Sequence, residues 1–254
     1  MLLNYQYQQN ANPSAKTMVL IHGLFGSLTN LGMLARAFSE QYSILQLDVR
    51  NHGKSQHAAE MNYDLMAQDV IETLDDLNIE TFTVIGHSMG GKIAMKLSDI
   101  VPQRIEKLIV LDISPAKYAE RHHEEIFQAL FAVQNAKPSS RLEAANLMRQ
   151  FIGEEMVIQF LLKSWHKDQI WLFNLDAIFK HYLDILDWQP ISAVSLPTLF
   201  LKGAQSPYIT SPIYSLALET QFPQAQLKTV PEAGHWLHAE QTALVVELIE
   251  QFLN

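Results

Sequence analysis

The stretch Gly86-His87-Ser88-Met89-Gly90 carries the most direct chemistry in this sequence. Before it runs Thr81-Phe82-Thr83-Val84-Ile85, β-branched and aromatic; after it runs Gly91-Lys92-Ile93-Ala94-Met95-Lys96-Leu97, rich in helix formers. A serine between glycines at that spacing, with a strand feeding it and a helix leaving it, has the pattern of a nucleophile elbow. The turn that presents such a serine is too sharp for ordinary flanking side chains, and glycine removes the Cβ atoms that would collide there. The helix that follows directs its free N–H groups at any oxyanion formed on an acyl group attacked by Ser88.

A serine nucleophile needs a base, and the base needs an orienting acid. Ten histidines are available. His22 and His87 lie inside glycine motifs, where structural work is expected of them. His122 and His123 fall in Glu120-Arg121-His122-His123-Glu124-Glu125, which admits a metal reading but has the pattern of a solvated helix face. His166 and His181 belong to a long helical stretch described below. His235 and His238 remain as candidate bases, and His238 falls at or inside the terminal helix, where it is more rigidly placed. His235 follows Gly234 in a loop after the last strand, where backbone freedom lets an imidazole reach the elbow, and it is the expected base.

The elements that must position these groups follow from hydrophobic patterning. Residues 2–9 alternate apolar and polar, as a half-exposed edge strand does. Thr17-Met18-Val19-Leu20-Ile21, residues 42–47, the run before the elbow and Lys107-Leu108-Ile109-Val110-Leu111-Asp112 read as strands, most of them buried on both faces. Residues 33–40 and 64–77 read as helices. After Asp112 the next strand-like run is Thr198-Leu199-Phe200-Leu201-Lys202, far beyond the dozen or so residues a crossover needs. The intervening stretch is helix-patterned over 124–133, 141–151, 154–163 and 175–186. A strand at 226–230, the loop Gly234-His235-Trp236 and a helix over 240–253 complete the chain. Strands alternating with helices imply a mostly parallel sheet covered on both faces, with its ligand at the carboxyl ends of the strands. Gly23, Asp48, Ser88, Asp112, Gly203 and His235 are all expected there.

Composition narrows the chemistry. Hydrophobic residues at 48% support a sizeable core, and a net charge of −9 argues against nucleic acid or an anionic membrane as the main partner. The absence of cysteine excludes disulfides, thiolate catalysis and cysteine-ligated metal. The start Met1-Leu2-Leu3-Asn4-Tyr5-Gln6 lacks a basic, then apolar, signal pattern, and no apolar run approaches about 18 residues. A cytoplasmic protein with no stable membrane anchoring is expected.

His22-Gly23-Leu24-Phe25-Gly26, Asp48-Val49-Arg50-Asn51-His52-Gly53-Lys54-Ser55, the elbow and Gly234-His235-Trp236 together resemble the α/β-hydrolase superfamily along nearly the whole chain. The first loop, the elbow and Asp112-Ile113-Ser114-Pro115 look most like the small bacterial esterases of the YbfF type. The resemblance implies an α/β fold with a mostly parallel twisted sheet flanked by helices and a helical lid inserted after the sixth core strand. The core would span 1–115 and 191–254, and the lid 116–190. It also implies an oxyanion hole from the backbone N–H groups of Leu24 and Met89. The family usually takes its acid from the loop after the strand at 198–202. Here that loop reads Gly203-Ala204-Gln205-Ser206, with no acidic residue between 188 and 218. Asp112, ending the strand next to the elbow strand, is therefore the expected acid. Asp48, Asp184 and Asp187 are weaker candidates, and Ser206 is at most an auxiliary.

The activity implied is hydrolysis of carboxylic esters or acyl-CoA thioesters through Ser88, His235 and Asp112 and an acyl-enzyme, with no cofactor and no metal. Lys117, Arg121, Lys163 or Lys167 would meet the phosphates of a CoA leaving group. The same fold also admits a lyase or C–C bond hydrolase, or a low-turnover small-molecule receptor.

Overall fold

The computed structural model describes residues 1–119, 123–166, 168 and 171–254. Seven strands form one sheet: β1 (Tyr5–Gln8), β2 (Thr17–Ile21), β3 (Ser43–Leu47), β4 (Phe82–His87), β5 (Ile105–Leu111), β6 (Thr198–Gly203) and β7 (Gln226–Val230). Their spatial order is β1-β3-β2-β4-β5-β6-β7. Only β1, at the edge, runs antiparallel to its neighbour.

Side chains alternate between two cores, as the two-residue period of a strand requires. Val19, Ile21, Val84, Val110 and Phe200 face one side, against α2 (Tyr63–Asp76) and α3 (Met89–Ile100). Met18, Leu20, Ile85, Ile109, Leu199 and Leu201 face the other, against α1 (Gly32–Phe38) and the C-terminal helix Thr242–Leu253. Both faces of the central strands are thus covered by helices, which explains why these strands read as unbroken apolar runs. Asn62 starts α2 by accepting the N–H of Leu65 at 2.9 Å, a side-chain cap where the amphipathic pattern begins.

Between β5 and β6 lie α4 (Glu124–Ala136), α5 (Arg141–Met148), α6 (Glu155–Leu161), α7 (Leu175–Lys180) and α8 (Tyr182–Leu186). The insertion leaves the sheet after the fifth strand in the chain, not the sixth, because only four strands precede β5. The single helix expected over 175–186 is two. His181 breaks it, contacting Asp184 Oδ2 at 2.8 Å with one ring nitrogen and the carbonyl of Ala59 at 2.9 Å with the other. After β6 comes α9 (Pro212–Gln221), which the apolar pattern did not reveal. Ser211 followed by Pro212 at the first helical position was its signal. The terminal helical segment is also divided, into α10 (Leu237–Glu240) and α11 (Thr242–Leu253). Among the described residues no helix is long and apolar enough to cross a membrane.

Candidate active site

Ser88 stands between β4 and α3 at φ 54°, ψ −120°, in a region that L-residues seldom occupy. The surrounding sheet holds it there. Its N–H donates to the carbonyl of Leu111 on β5 at 2.9 Å, and its own carbonyl accepts from Gly91 N–H at 2.8 Å. A Cβ on Gly86 would lie 2.2 Å from the carbonyl oxygen of Gly90, and one on Gly90 would lie 2.2 Å from that of Ile21. Both glycines are therefore required by close backbone approach. Ser88 is half-buried, lines a cleft of about 580 Å³ and takes no hydrogen bond through its hydroxyl among the described residues.

His235 and Asp112 meet at the same edge of the sheet. Asp112 is fully buried and leaves β5 at φ 55°, the same left-handed departure that Ser88 makes from β4 next door. One carboxylate oxygen, Oδ1, accepts the N–H of Gly203 at 2.9 Å; the other, Oδ2, lies 2.7 Å from His235 Nδ1 and accepts the hydroxyl of Ser206. A carboxylate can only accept, so in neutral His235 the proton sits on Nδ1 and Nε2 keeps its lone pair. Tyr208 stacks on the imidazole, ring centroids 4.1 Å apart, and Glu240 fixes the histidine loop by accepting the N–H groups of Gly234 (2.6 Å) and Trp236 (3.2 Å).

Leu24 and Met89 flank Ser88 with backbone N–H groups that donate to no acceptor among the described residues. Leu24 is held by a buttress of neutral histidines. His22 accepts from Val49 N–H at 3.0 Å through Nε2 and donates to Gly23 O at 2.8 Å through Nδ1. His52 accepts from Phe25 N–H at 3.1 Å and donates to Arg50 O at 2.9 Å. Burial pulls the pKa of His22 to about 4 and that of His52 to about 3, so both stay neutral as this bonding demands. Asp48 is spent in the same buttress, accepting from Leu28 N–H (2.7 Å) and Lys54 N–H (2.9 Å). Asp184 pairs with His181 and Asp187 with Lys117, so none of the three weaker acid candidates touches His235.

The opposite wall of the cleft comes from the insertion and is largely apolar: Ile126, Ile152, Met156, Val157, Phe160 and Leu161. Phe160 meets Trp236 across it, ring centroids 5.4 Å apart. Lys117 and Lys163 do not line the cleft, and Arg121 and Lys167 lie outside the described residues. The charged side chains on the described lining are Glu125, Glu154 and Glu240, beside the imidazoles of His87, His123, His235 and His238.

A family model described as the α/β-hydrolase fold matches residues 16–242. The chain belongs to the α/β-hydrolase family. This α/β-hydrolase is 46% identical to Esterase YbfF of Escherichia coli over 98% of its own length and 96% of that protein. To the sn-1-specific diacylglycerol lipase ABHD11 of Danio rerio it is 36% identical, over 93% of its length and 78% of the relative. The solved structure titled Marine microorganism esterase superposes with a TM-score of 0.93 at 33% identity, covering 99% of both chains.

His238, weighed beside His235 as a base and set behind it for its more rigid place in a helix, also lines the cleft. One feature near the site is not marked in the sequence. Lys92, in the helix leaving the elbow, is buried in a cage of Tyr63, Tyr118 and Trp188, with Nζ 5.4, 5.0 and 5.9 Å from the ring centroids. Its ammonium donates to the carbonyls of Leu186 (3.3 Å) and Asp187 (3.1 Å), tying the end of the insertion to the helix that begins at Ser88.

Proposed function

We propose that this α/β-hydrolase cleaves carboxylic esters, with Ser88 as nucleophile, His235 as general base and acid, Asp112 as orienting acid, and the Leu24 and Met89 N–H groups as oxyanion hole. The hydrogen bond between His235 Nδ1 and Asp112 Oδ2 carries this reading, because it fixes the tautomer in which Nε2 takes a proton from Ser88. The hydroxyl attacks the acyl carbonyl, and the oxyanion that forms is held by the two N–H groups. His235 then gives its proton to the departing alcohol. Water enters against the acyl-enzyme, loses a proton to His235, and releases the acid and free Ser88.

The esterase and lipase relatives support ester cleavage, and the apolar wall of the insertion suits an acyl chain. Residues 116–190 act as a lid over a core made of 1–115 and 191–254. Acyl-CoA thioesters are a second substrate class open to the same chemistry. Of the four basic residues expected to meet CoA phosphates, Lys117 is engaged by Asp187 and Lys163 is off the cleft lining, so neutral esters are the principal substrates in this reading. Ser88→Ala tests it. Fluorophosphonate labelling should vanish and ester hydrolysis should fall close to background, leaving at most the roughly 10³-fold over water that oxyanion hole and binding supply. Wild-type turnover in that variant would refute it.

A further inference from the structure

The cleft holds an imidazole that the reaction as written does not use. His238 lies on α10, is 5% exposed, and lines the same cleft as Ser88 and His235. Its ring meets that of His87 edge-on with centroids 4.4 Å apart, and His87 in turn lies 4.7 Å from the ring of His235. His87 is itself committed, its Nε2–H donating to the carbonyl of His235 at 2.8 Å. His238 is not committed. Its Nδ1 is buried without a hydrogen-bond partner among the described residues, and no protein group there bonds its Nε2.

Burial, with help from the nearby His235 and Lys163, lowers the pKa of His238 to about 3, so the ring is neutral and carries one N–H. A buried lone pair without a partner is tolerated more often than a buried N–H without one, which puts the proton on Nε2 and leaves Nδ1 bare. Nδ1 is the ring atom left bare inside the protein, and Nε2 is the one open to the cleft, where a bound substrate can offer it an acceptor.

We propose that His238 Nε2–H is a specificity contact for the leaving alcohol, favouring esters whose alcohol carries an ether or hydroxyl oxygen a few atoms from the ester oxygen. This rests on the serine-hydrolase reading above, since that reading sets the geometry. His235 hands its proton to the departing oxygen, so the alcohol leaves on the His235 side of Ser88, where His87 and His238 stand. That side of the cleft is also the polar one: Gln205 is held there by its N–H on Ala233 O at 2.9 Å, and Glu240 braces the histidine loop. The acyl chain takes the apolar insertion wall.

The matched pair 2-methoxyethyl butanoate and butyl butanoate differs by one ether oxygen in place of a methylene. Wild-type kcat/KM should favour the ether by about five- to tenfold, the scale of one neutral hydrogen bond. His238→Phe should bring the ratio to about one, and His238→Gln, which keeps a donor, should restore part of it. A wild-type ratio near one, or a ratio that His238→Phe leaves in place, overturns the proposal. Should the Phe variant not fold, the wild-type chain answers instead. It is phosphonylated at Ser88 with p-nitrophenyl methylphosphonates whose retained alkoxy arm is 2-methoxyethoxy or butoxy. The ¹⁵N resonance of His238 Nε2 should move in the first adduct relative to the second, and identical spectra overturn the proposal. Loss of Ser88 labelling altogether would instead count against the serine-hydrolase reading, so the two failures are distinguishable.

Discussion

Replacing Asp112 by asparagine removes one charge and one acceptor from a fully buried site, and the structure fixes what each amide orientation does there. With its oxygen kept on Gly203 N–H, the amide turns its NH₂ toward His235 Nδ1 and Ser206 Oγ, the partners of Oδ2. His235 must then carry its proton on Nε2, facing Ser88, and cannot act as base. With the amide flipped, the tautomer is right, but the NH₂ confronts Gly203 N–H. Two donors facing each other in a buried site cost about 1–3 kcal/mol, which confines the competent form to roughly a tenth to a hundredth of the molecules. That fraction also lacks the carboxylate that stabilises the imidazolium, worth about 1.5–3 kcal/mol as a charged hydrogen bond, or a further ten- to hundredfold. The product is about 10²–10⁴, and the roughly 10⁴-fold loss from the same change in a serine protease favours its upper part, a fall of about 10³–10⁴ in kcat.

The assay is p-nitrophenyl butanoate turnover with parallel fluorophosphonate labelling, on protein shown by thermal melting to be folded. Both rates should fall together, because both need Nε2 as a base. Asp184→Asn and Asp187→Asn, each removing only a half-exposed or exposed ion pair, should stay within about twofold of wild type. An Asp112→Asn enzyme within tenfold of wild type would refute the assignment, and so would a large loss in either control.

Ser206→Ala deletes one neutral donor to Asp112 and should cost tenfold or less in kcat, as steady-state kinetics will show. Ser206→Asp built on Asp112→Asn should recover at least tenfold over Asp112→Asn alone, since residue 206 already reaches the atom that holds His235; no recovery would mean its backbone cannot aim a carboxylate there. His22, His52 and His238 stay neutral when folded, with pKa values pulled to about 4, about 3 and about 3. The unfolded chain binds those protons near pH 6.5, so stability is retained above that pH and lost as pH falls toward 4, by up to about 1.4 kcal/mol per unit for each histidine. Urea melts at pH 7, 6 and 5 should show the loss, with a shallower pH slope in His52→Asn. The kcat/KM of an acyl-CoA should rise with ionic strength as repulsion from Glu125, Glu154 and Glu240 is screened, while that of a neutral ester stays flat. A fall would mean that cations reach the CoA phosphates.

The elbow, the loop at 22–26 and the loop at 234–236 were legible because each is short and its glycine spacing encodes a backbone constraint. The central strands were legible because burial on both faces makes them continuous apolar runs. What stayed hidden depends on partners far apart in the chain. Lys92 is one member of a helix-forming run until Tyr63, Tyr118 and Trp188 are brought around it, and His52 reads as a loop residue until Phe25 N–H reaches its ring. The helix break at His181 comes from a carbonyl at Ala59 that no local pattern predicts. The insertion follows the fifth strand in the chain, whereas the family resemblance implied a sixth, because only four strand-forming runs precede the one that ends at Leu111.

The placement of the proposed acid shows how a departure from a family pattern is absorbed by geometry. β4 and β5 are parallel neighbours in register, His87 opposite Leu111, so Ser88 and Asp112 emerge side by side. Each turns out of the sheet at a positive φ, and each is bonded across to the next strand: Ser88 N–H to Leu111 O, and Asp112 N–H to Leu201 O at 2.8 Å. The left-handed backbone at Asp112 is costly for a residue with a Cβ, and it persists because the strands on both sides leave it no alternative. From there the carboxylate leans over the end of β6, where Gly203 N–H takes one oxygen and Ser206 and His235 share the other. The proposed acid, carried one strand nearer the proposed nucleophile, thus meets His235 beside the loop from which the family resemblance would draw it. Ser206, standing in that loop, donates to that carboxylate.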